Sequence, residues 1–284
     1  MTRTYRLLIS CPDASGIVAT VSQFIANHDG WIVEANHHSD PVTKRFYMRN
    51  EIRAESLPFT LEEFRDHFSA VAESLGMQWS ISDSEKPKRI ALLASKQAHC
   101  LSDLLYRWRS GDLNMDISCV ISNHEDLRSY VEWHDILYHY VPVDKQNKAP
   151  AFDQMNSLLH ESDTDTVVLA RYMQILPPEL CDTYENRVIN IHHSFLPSFV
   201  GAKPYHQAYE RGVKLVGATC HYVTEVLDAG PIIEQDVVRV GHHHLPEDMV
   251  RLGKDVEKNV LARGLRYHIE DRVIVDGGKT VILE

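Results

Sequence analysis

Ile90-Ala91-Leu92-Leu93-Ala94 is a run of five residues without a polar side chain. A strand wetted on one face alternates apolar and polar residues, whereas one that is apolar throughout must be covered on both faces. Further short apolar runs follow at 117–121, 136–140, 166–170 and 187–191, with helical patterns between most of them. Strands of this kind alternating with helices predict an α/β unit built on a mostly parallel sheet. After Gly212 come two longer strand-like runs, 214–223 and 232–240. A helix from near Pro246 then carries Met249, Leu252, Val256 and Val260 inward among many charges.

Working back from Arg89, the rhythm changes. Tyr5 to Ser10 forms a short strand, and Cys11-Pro12-Asp13-Ala14-Ser15-Gly16 is a turn that opens a helix. Ile17, Val18, Val21, Phe24, Ile25 and His28 recur at helical spacing until Asp29-Gly30. Two strands, 31–36 and 45–52, flank a turn containing Asp40-Pro41. Thr60 with Glu63 is a capping box, followed by the stripe Leu61, Phe64, Phe68, Val71 and Leu75; Met77, Trp79 and Ile81 then alternate as a strand. The order is βαββαβ. The polar stretch Ser82 to Lys88, with Pro87, is a linker, so the expected division is 1–83, a linker at 84–89, and 90–284.

Composition narrows the function classes. The formal net charge of -11 disfavours a nucleic-acid partner, which calls for a basic surface. No stretch approaches the roughly 20 apolar residues of a membrane helix, and the opening MTRTYRLLIS lacks the apolar core of a signal peptide. Five scattered cysteines fit reduced thiols and no zinc spacing. His242-His243-His244 cannot all face one ion. The expectation is a cytoplasmic protein with no metal, no membrane contact and no nucleic acid.

In an open α/β sheet, ligands bind beyond the carboxyl ends of the strands. Val188-Ile189-Asn190-Ile191-His192-His193-Ser194 ends an apolar run in polar groups. Side chains two apart on a strand share a face, so Asn190 and His192 project together. The next ten residues, Phe195 to Pro204, carry Pro and Gly and predict a shaped loop. In Leu227-Asp228-Ala229-Gly230-Pro231, the conformational freedom of Gly230 and the stiffness of Pro231 would hold Asp228 at a tight reversal. An amide, an imidazole and a carboxylate suit acyl hydrolysis: two donors hold an oxyanion while the carboxylate positions or deprotonates a water. From the residues alone, the structural reading is the commoner one. A strand-end His in a chain with 17 histidines is ordinary, and Asp228 is equally a turn former.

Asn190-Ile191-His192-His193-Ser194-Phe195-Leu196-Pro197 resembles the Asn-x-His-x-Ser-x-Leu-Pro signature of folate-dependent formyltransferases, and Leu227-Asp228-Ala229-Gly230 resembles their Asp-x-Gly element. The resemblance implies a Rossmann-like formyltransferase domain with Asn190, His192 and Asp228 as its catalytic set. It also implies that Ala170 to Leu176 is the folate loop: Met173, Gln174, Ile175 and Leu176 bind substrate, with Met173, Ile175 and Leu176 lining the pterin pocket. Thr224, Glu225, Val226 and Leu227 supply the other wall.

A transferase acting on a nucleotide holds its phosphate on a Gly-rich loop after the first strand; here Ala94-Ser95-Lys96-Gln97-Ala98-His99-Cys100-Leu101 has no glycine. The formyltetrahydrofolate deformylase branch is more similar over essentially the whole chain: Lys96-Gln97-Ala98-His99-Cys100, His193, and Gly201-Ala202-Lys203-Pro204-Tyr205-His206-Gln207-Ala208 match its pattern. That branch carries an N-terminal ACT (ferredoxin-like) domain, which the βαββαβ order and the Cys11-Pro12-Asp13 turn with Gly16 resemble.

The resemblance implies hydrolysis of 10-formyltetrahydrofolate to formate and tetrahydrofolate, supplying formate for purine biosynthesis, with no cofactor beyond the folate. In the expected mechanism Asp228 orients and activates water. His192 and Asn190 hold the oxyanion, and His192 later protonates the leaving nitrogen. Lys96, His99 and His193 are candidates for the water side. ACT domains pair and bind small amino acids, so Asp13, Gly16 and Asn36 are effector-site candidates for glycine or methionine, in a homodimer or homotetramer. Two other functions stay open: formyl transfer to an amine, and a non-catalytic regulator.

Overall fold

The computed structural model describes residues 2–196 and 204–284. Pro197 of the signature and the loop expected at 197–203 lie outside the described residues. The chain divides into two compact units, one of residues 1–87 with 270–276 and 280–284, the other of residues 88–269 with 277–279.

The first unit contains β1 (Thr4–Pro12), α1 (Ile17–Asn27), β2 (Ile32–Asp40), β3 (Arg45–Arg53), α2 (Leu61–Ser74) and β4 (Gln78–Asp83) in one antiparallel sheet, ordered β2-β3-β1-β4. This is the expected βαββαβ pattern. Thr60 and Glu63 form both bonds of the capping box at α2. Along β3 the pleat alternates: Phe46, Met48 and Ile52 join the core beneath α1 and α2, while Tyr47 and Arg49 face the other way.

The second unit contains β5 (Arg89–Ala94), α3 (His99–Arg109), β6 (Asp116–Ser122), α4 (Arg128–Glu132), β7 (Tyr138–Tyr140), α5 (Ala149–Glu161), β8 (Thr166–Leu169), α6 (Pro178–Thr183), β9 (Val188–His192), α7 (Pro204–Glu210), β10 (Leu215–Tyr222), β11 (Ile232–Arg239) and α8 (Pro246–Ile269). Its seven strands are ordered β11-β10-β9-β8-β5-β6-β7. From β7 to β9 all pairings are parallel, and β10 and β11 add antiparallel. Every residue from Ile90 to Ala94 is fully buried, the two-sided cover that the apolar run requires. Strand order reverses between β5 and β8, so the loops after these strands flank the switch point where α/β sheets bind ligands.

Two expectations shift. The buried face of α8 runs through Met249, Gly253, Glu257, Val260 and Gly264, while Leu252 and Val256 are half-buried. A glycine and a carboxylate thus stand on the inner face. The chain after α8 also departs from the expected second domain, because residues 270–276 and 280–284 pack with the first unit. There β12 (Val273–Asp276) and β13 (Lys279–Ile282) form a hairpin. The cause is visible at Arg49, which is 1 % exposed. Its guanidinium donates to Glu34, Glu51 and the backbone carbonyls of Glu270 and Asp271. A cation buried on that sheet face requires acceptors, and the C-terminal segment provides two.

Candidate active site

Along β9, Ile189 and Ile191 are buried while Asn190 and His192 stand half-exposed on the opposite face. Antiparallel pairing sets His221 of β10 directly across from Asn190. There the Asn190 Nδ2 lies 3.2 Å from His221 Nε2, and His221 Nδ1 lies 2.7 Å from the carbonyl of Tyr222. A carbonyl only accepts, so His221 carries its proton on Nδ1, and its Nε2 must accept from the Asn190 amide. Burial pushes the His221 imidazolium down, consistent with a neutral ring.

Asp228 reaches the same face from the loop after β10. Its Oδ1 lies 3.1 Å from His192 Nδ1 and 3.8 Å from His221 Nε2. Asp228 itself takes the left-handed conformation (φ 57°), which short polar side chains tolerate. Gly230 does not; it is required for another reason, since a Cβ there would stand 1.8 Å from the carbonyl oxygen of Tyr222. The hydrogen bond from His192 holds the Asp228 carboxyl below the usual range against the opposing effect of burial, so it is ionised at neutral pH.

The expected folate loop, residues 170–176, leaves β8 at a strained residue, Arg171 (φ 65°). Ser95 at the end of β5 pins it: Ser95 N–H donates to the Arg171 carbonyl, and the Met173 N–H donates to Ser95 Oγ. Met173 and Ile175 are 57 % and 58 % exposed, and Val226 and Leu227 on the other expected wall 66 % and 62 %. Gln174 is half-buried; Thr224 and Glu225 are exposed. Leu176 differs from the expectation of a pocket-lining side chain, because it packs in the core with Leu180, Cys181 and the partly buried Val223.

Comparison with known proteins bears on this geometry. A family model described as "Formyl transferase" matches residues 88–265, beginning at the first residue of the second unit. The formyltetrahydrofolate deformylase of Bacillus subtilis (strain 168) is 47 % identical over 98 % of this chain and 93 % of its own. The crystal structure of a formyltetrahydrofolate deformylase from Pseudomonas syringae pv. tomato superposes with a TM-score of 0.98 at 64 % identity, covering 100 % of this chain and 95 % of that one. The chain belongs to the formyltetrahydrofolate deformylase family. A glycinamide ribonucleotide transformylase from Symbiobacterium toebii is more distant, with a TM-score of 0.66 at 28 % identity over 70 % of this chain and 95 % of its own.

Beside the trio, this deformylase family member carries a buried polar cluster that sequence reasoning reached only at its edge. Glu257 on α8 is 1 % exposed. Its Oε2 lies 2.8 Å from His99 Nε2 and 3.4 Å from Arg171 Nε, and its Oε1 accepts from the Tyr205 hydroxyl at 2.8 Å. Burial pushes the Glu257 carboxyl up, but the bonds from His99 and Tyr205 and the charge of Arg171 outweigh it, leaving it below the usual range. Gly253, one turn earlier, makes room: a Cβ there would stand 2.1 Å from the Tyr205 hydroxyl.

His193 bridges the cluster and the trio, with its ring 5.3 Å from that of His192 and 6.4 Å from that of Tyr205. Burial, aided by the charge of Arg171, lowers its pKa to about 4. Lys96 is exposed in the loop before α3. Among the described residues, His99, Cys100 and Glu257 form one grouping with donor atoms close enough to hold a cation. Both Glu257 oxygens are already engaged, however, and Arg171 supplies the compensating charge.

In the first unit, Gly16 (φ 93°) lines a groove with Ala14, Ile17, Val18, Ser22 and Phe46. Asp13 instead accepts from Ser39, and Asn36 donates to Glu34 at 2.9 Å. Among the described residues no helix is long and apolar enough to cross a membrane.

Proposed function

We propose that this chain hydrolyses 10-formyltetrahydrofolate to formate and tetrahydrofolate through Asn190, His192 and Asp228. The observation that carries the reading is the hydrogen-bonded pair of His192 and Asp228 on the same sheet face as Asn190, at the carboxyl end of β9. The exposed apolar side chains of Met173, Ile175, Val226 and Leu227 support binding of a flat heterocycle between the two loops.

The tautomers argue for a definite division of labour. Asp228 accepts the Nδ1 proton of His192, which leaves Nε2 of the neutral ring as a base. A carboxyl held low is itself a weak base, so Asp228 acts on water through His192 rather than directly. His192 Nε2 takes a proton as the water oxygen bonds to the formyl carbon, and Asp228 stabilises the imidazolium. Asn190 spends one amide hydrogen on His221, and its second is left for the oxyanion. The imidazolium then protonates N10, the carbon–nitrogen bond breaks, and formic acid leaves, giving its proton to solvent as formate. These steps need only the named side chains, folate and water.

Incubating the pure protein with 10-formyltetrahydrofolate alone tests this, with formate and tetrahydrofolate expected in equal amounts. No formate above the uncatalysed rate refutes it. The proposed use of that formate is purine biosynthesis.

For the first unit, the groove beside Gly16 supports a small amino-acid effector, glycine or methionine, bound where two such units pair in a homodimer or homotetramer. Calorimetry with each amino acid, and sedimentation of the protein with and without it, tests this. Silence with both leaves pairing without ligand.

A further inference from the structure

We propose that the buried cluster of Tyr205, Glu257, His99 and Arg171 is a size filter on the nucleophile: it closes the α3 side of the formyl carbon, so that water attacks and bulkier amines do not. This rests on the hydrolytic reading above and concerns why that site hydrolyses rather than transfers.

The cluster is next to the reacting groups but outside their hydrogen-bond circuit. Contacts run from His192 to the His193 ring, on to Tyr205, through its hydroxyl to Glu257, and from Glu257 to His99, the first residue of α3. The catalytic bonds run among Asn190, His221, His192 and Asp228. Four separate elements therefore send a side chain to one point: α3, the folate loop, α7 and α8.

The sequence invests in this wall. Glycine in a helix interior costs about 1 kcal/mol relative to alanine, yet α8 keeps Gly253 where any side chain would strike the Tyr205 ring. Arg171, in turn, holds a left-handed backbone.

Chemically, the wall directs its polar groups at Glu257 rather than at an incoming acceptor. An amine nucleophile brings substituents whose polar groups need partners once desolvated. Both Glu257 oxygens are occupied, the Tyr205 hydroxyl is spent on one of them, and the His193 ring is neutral above about pH 4. The loop leading into α3 has no glycine to let backbone approach an anionic acceptor, and His99 at its end is tied to the protein's own carboxylate. Water needs none of this.

Both reactions break the same carbon–N10 bond. With water, a carbon–oxygen bond forms and one water proton ends on N10, releasing formic acid, which ionises to formate and a proton. With an amine, a carbon–nitrogen bond forms and one amine proton ends on N10, releasing a formamide.

The test supplies wild-type protein and 10-formyltetrahydrofolate with hydroxylamine or its O-methyl and O-benzyl ethers, nucleophiles of similar reactivity and rising bulk. The ratio of formylated amine to formate is measured after subtracting a protein-free blank. A size filter predicts a measurable ratio for hydroxylamine and a fall of at least about tenfold to the O-benzyl ether, the scale on which a pocket discriminates by shape. In Tyr205→Ala the O-benzyl ratio rises at least about tenfold, and in Tyr205→Phe, which keeps the ring, it stays within about twofold of wild type. A wild-type ratio independent of bulk, or no transfer even to hydroxylamine, overturns the proposal whether or not the variants fold. So does a folded Tyr205→Ala that releases formate with the wild-type ratio. Loss of formate release in wild type without any amine would instead defeat the hydrolytic reading.

Discussion

The amide of Asn190 donates to the ring of His221, its cross-strand neighbour, and that ring is held in one tautomer by the carbonyl of Tyr222. The chain of constraints starts at a backbone oxygen and ends by fixing which way Asn190 points its remaining hydrogen. In the proposed mechanism His221 is therefore a positioning residue. His221→Leu should lower kcat by about 10–100-fold, less than the 10²–10³ lost on removing an oxyanion donor outright, with KM within about twofold. His221→Gln, whose carbonyl can accept from Asn190, should recover part of the loss. An equal loss in both variants would point to packing alone.

Asp228 and His192 make the second coupled pair. In the proposed mechanism the carboxylate stabilises the imidazolium formed during attack; an amide in its place is neutral and can turn its nitrogen to Nδ1 and favour the wrong tautomer. Asp228→Asn should cut kcat by at least about 10³-fold while a folate analogue still binds with near-native affinity. Steady-state kinetics paired with fluorescence titration would check this, and a turnover near wild type would remove Asp228 from the mechanism.

What could be read from residues alone follows a physical divide. Asn190 and His192 are two apart on a strand, so their common face is a property of local chain geometry. Their partner His221 is 31 residues from Asn190, and only strand register brings it there. Asp228 was legible as a held turn, but Gly230 serves close approach to Tyr222 rather than a special φ. Glu257 was hidden because α8 is rich in charge and its apolar residues suggested a stripe one position away. Gly253, unexplained in a long helix, was the available signal. The C-terminal hairpin carried a signal of its own, the short apolar run Val273-Ile274-Val275 ending in the turn residues Asp276-Gly277-Gly278. That its segment packs with the first unit rests on residues far away in sequence, among them Arg49, Tyr47 and Ser82.

His193 predicts how stability varies with pH. Its folded pKa of about 4 lies below the ordinary 6.5, chiefly through burial, with Arg171 and His192 adding repulsion and Glu257 and Asp228 opposing. Between those two values the unfolded chain binds a proton that the folded chain does not. Stability therefore falls as pH drops from above 6.5 to about 4, and this contribution changes no further below that. At about 1.36 kcal/mol per unit the loss is at most about 3 kcal/mol. Glu257, held low, adds a separate loss only as pH falls below its ordinary 4.5. Urea denaturation at pH 7.0 and 5.0 should show a smaller decline in His193→Gln than in wild type, the remainder coming from His221, His134 and His139, which burial also holds below the ordinary value. An identical decline in both would assign the effect elsewhere.

Gly253 separates two opposing effects cleanly. Replacing a helical glycine with alanine normally gains about 1 kcal/mol. Here the new Cβ would lie 2.1 Å from the Tyr205 hydroxyl and 2.2 Å from its Cζ, so the ring must move, and Tyr205 is only 7 % exposed. Overpacking of a closed site costs about 1–3 kcal/mol, and displacing the hydroxyl also strips one acceptor bond from a buried carboxylate, which adds to it. The clash wins: Gly253→Ala should be destabilised by about 1–3 kcal/mol, read as a lower Tm. Tyr205→Phe combined with Gly253→Ala should be less than additive, since both changes remove the same Tyr205–Glu257 hydrogen bond. A stabilised Gly253→Ala would mean that the Tyr205 ring yields to the new Cβ, and that the wall beside His193 is not closed.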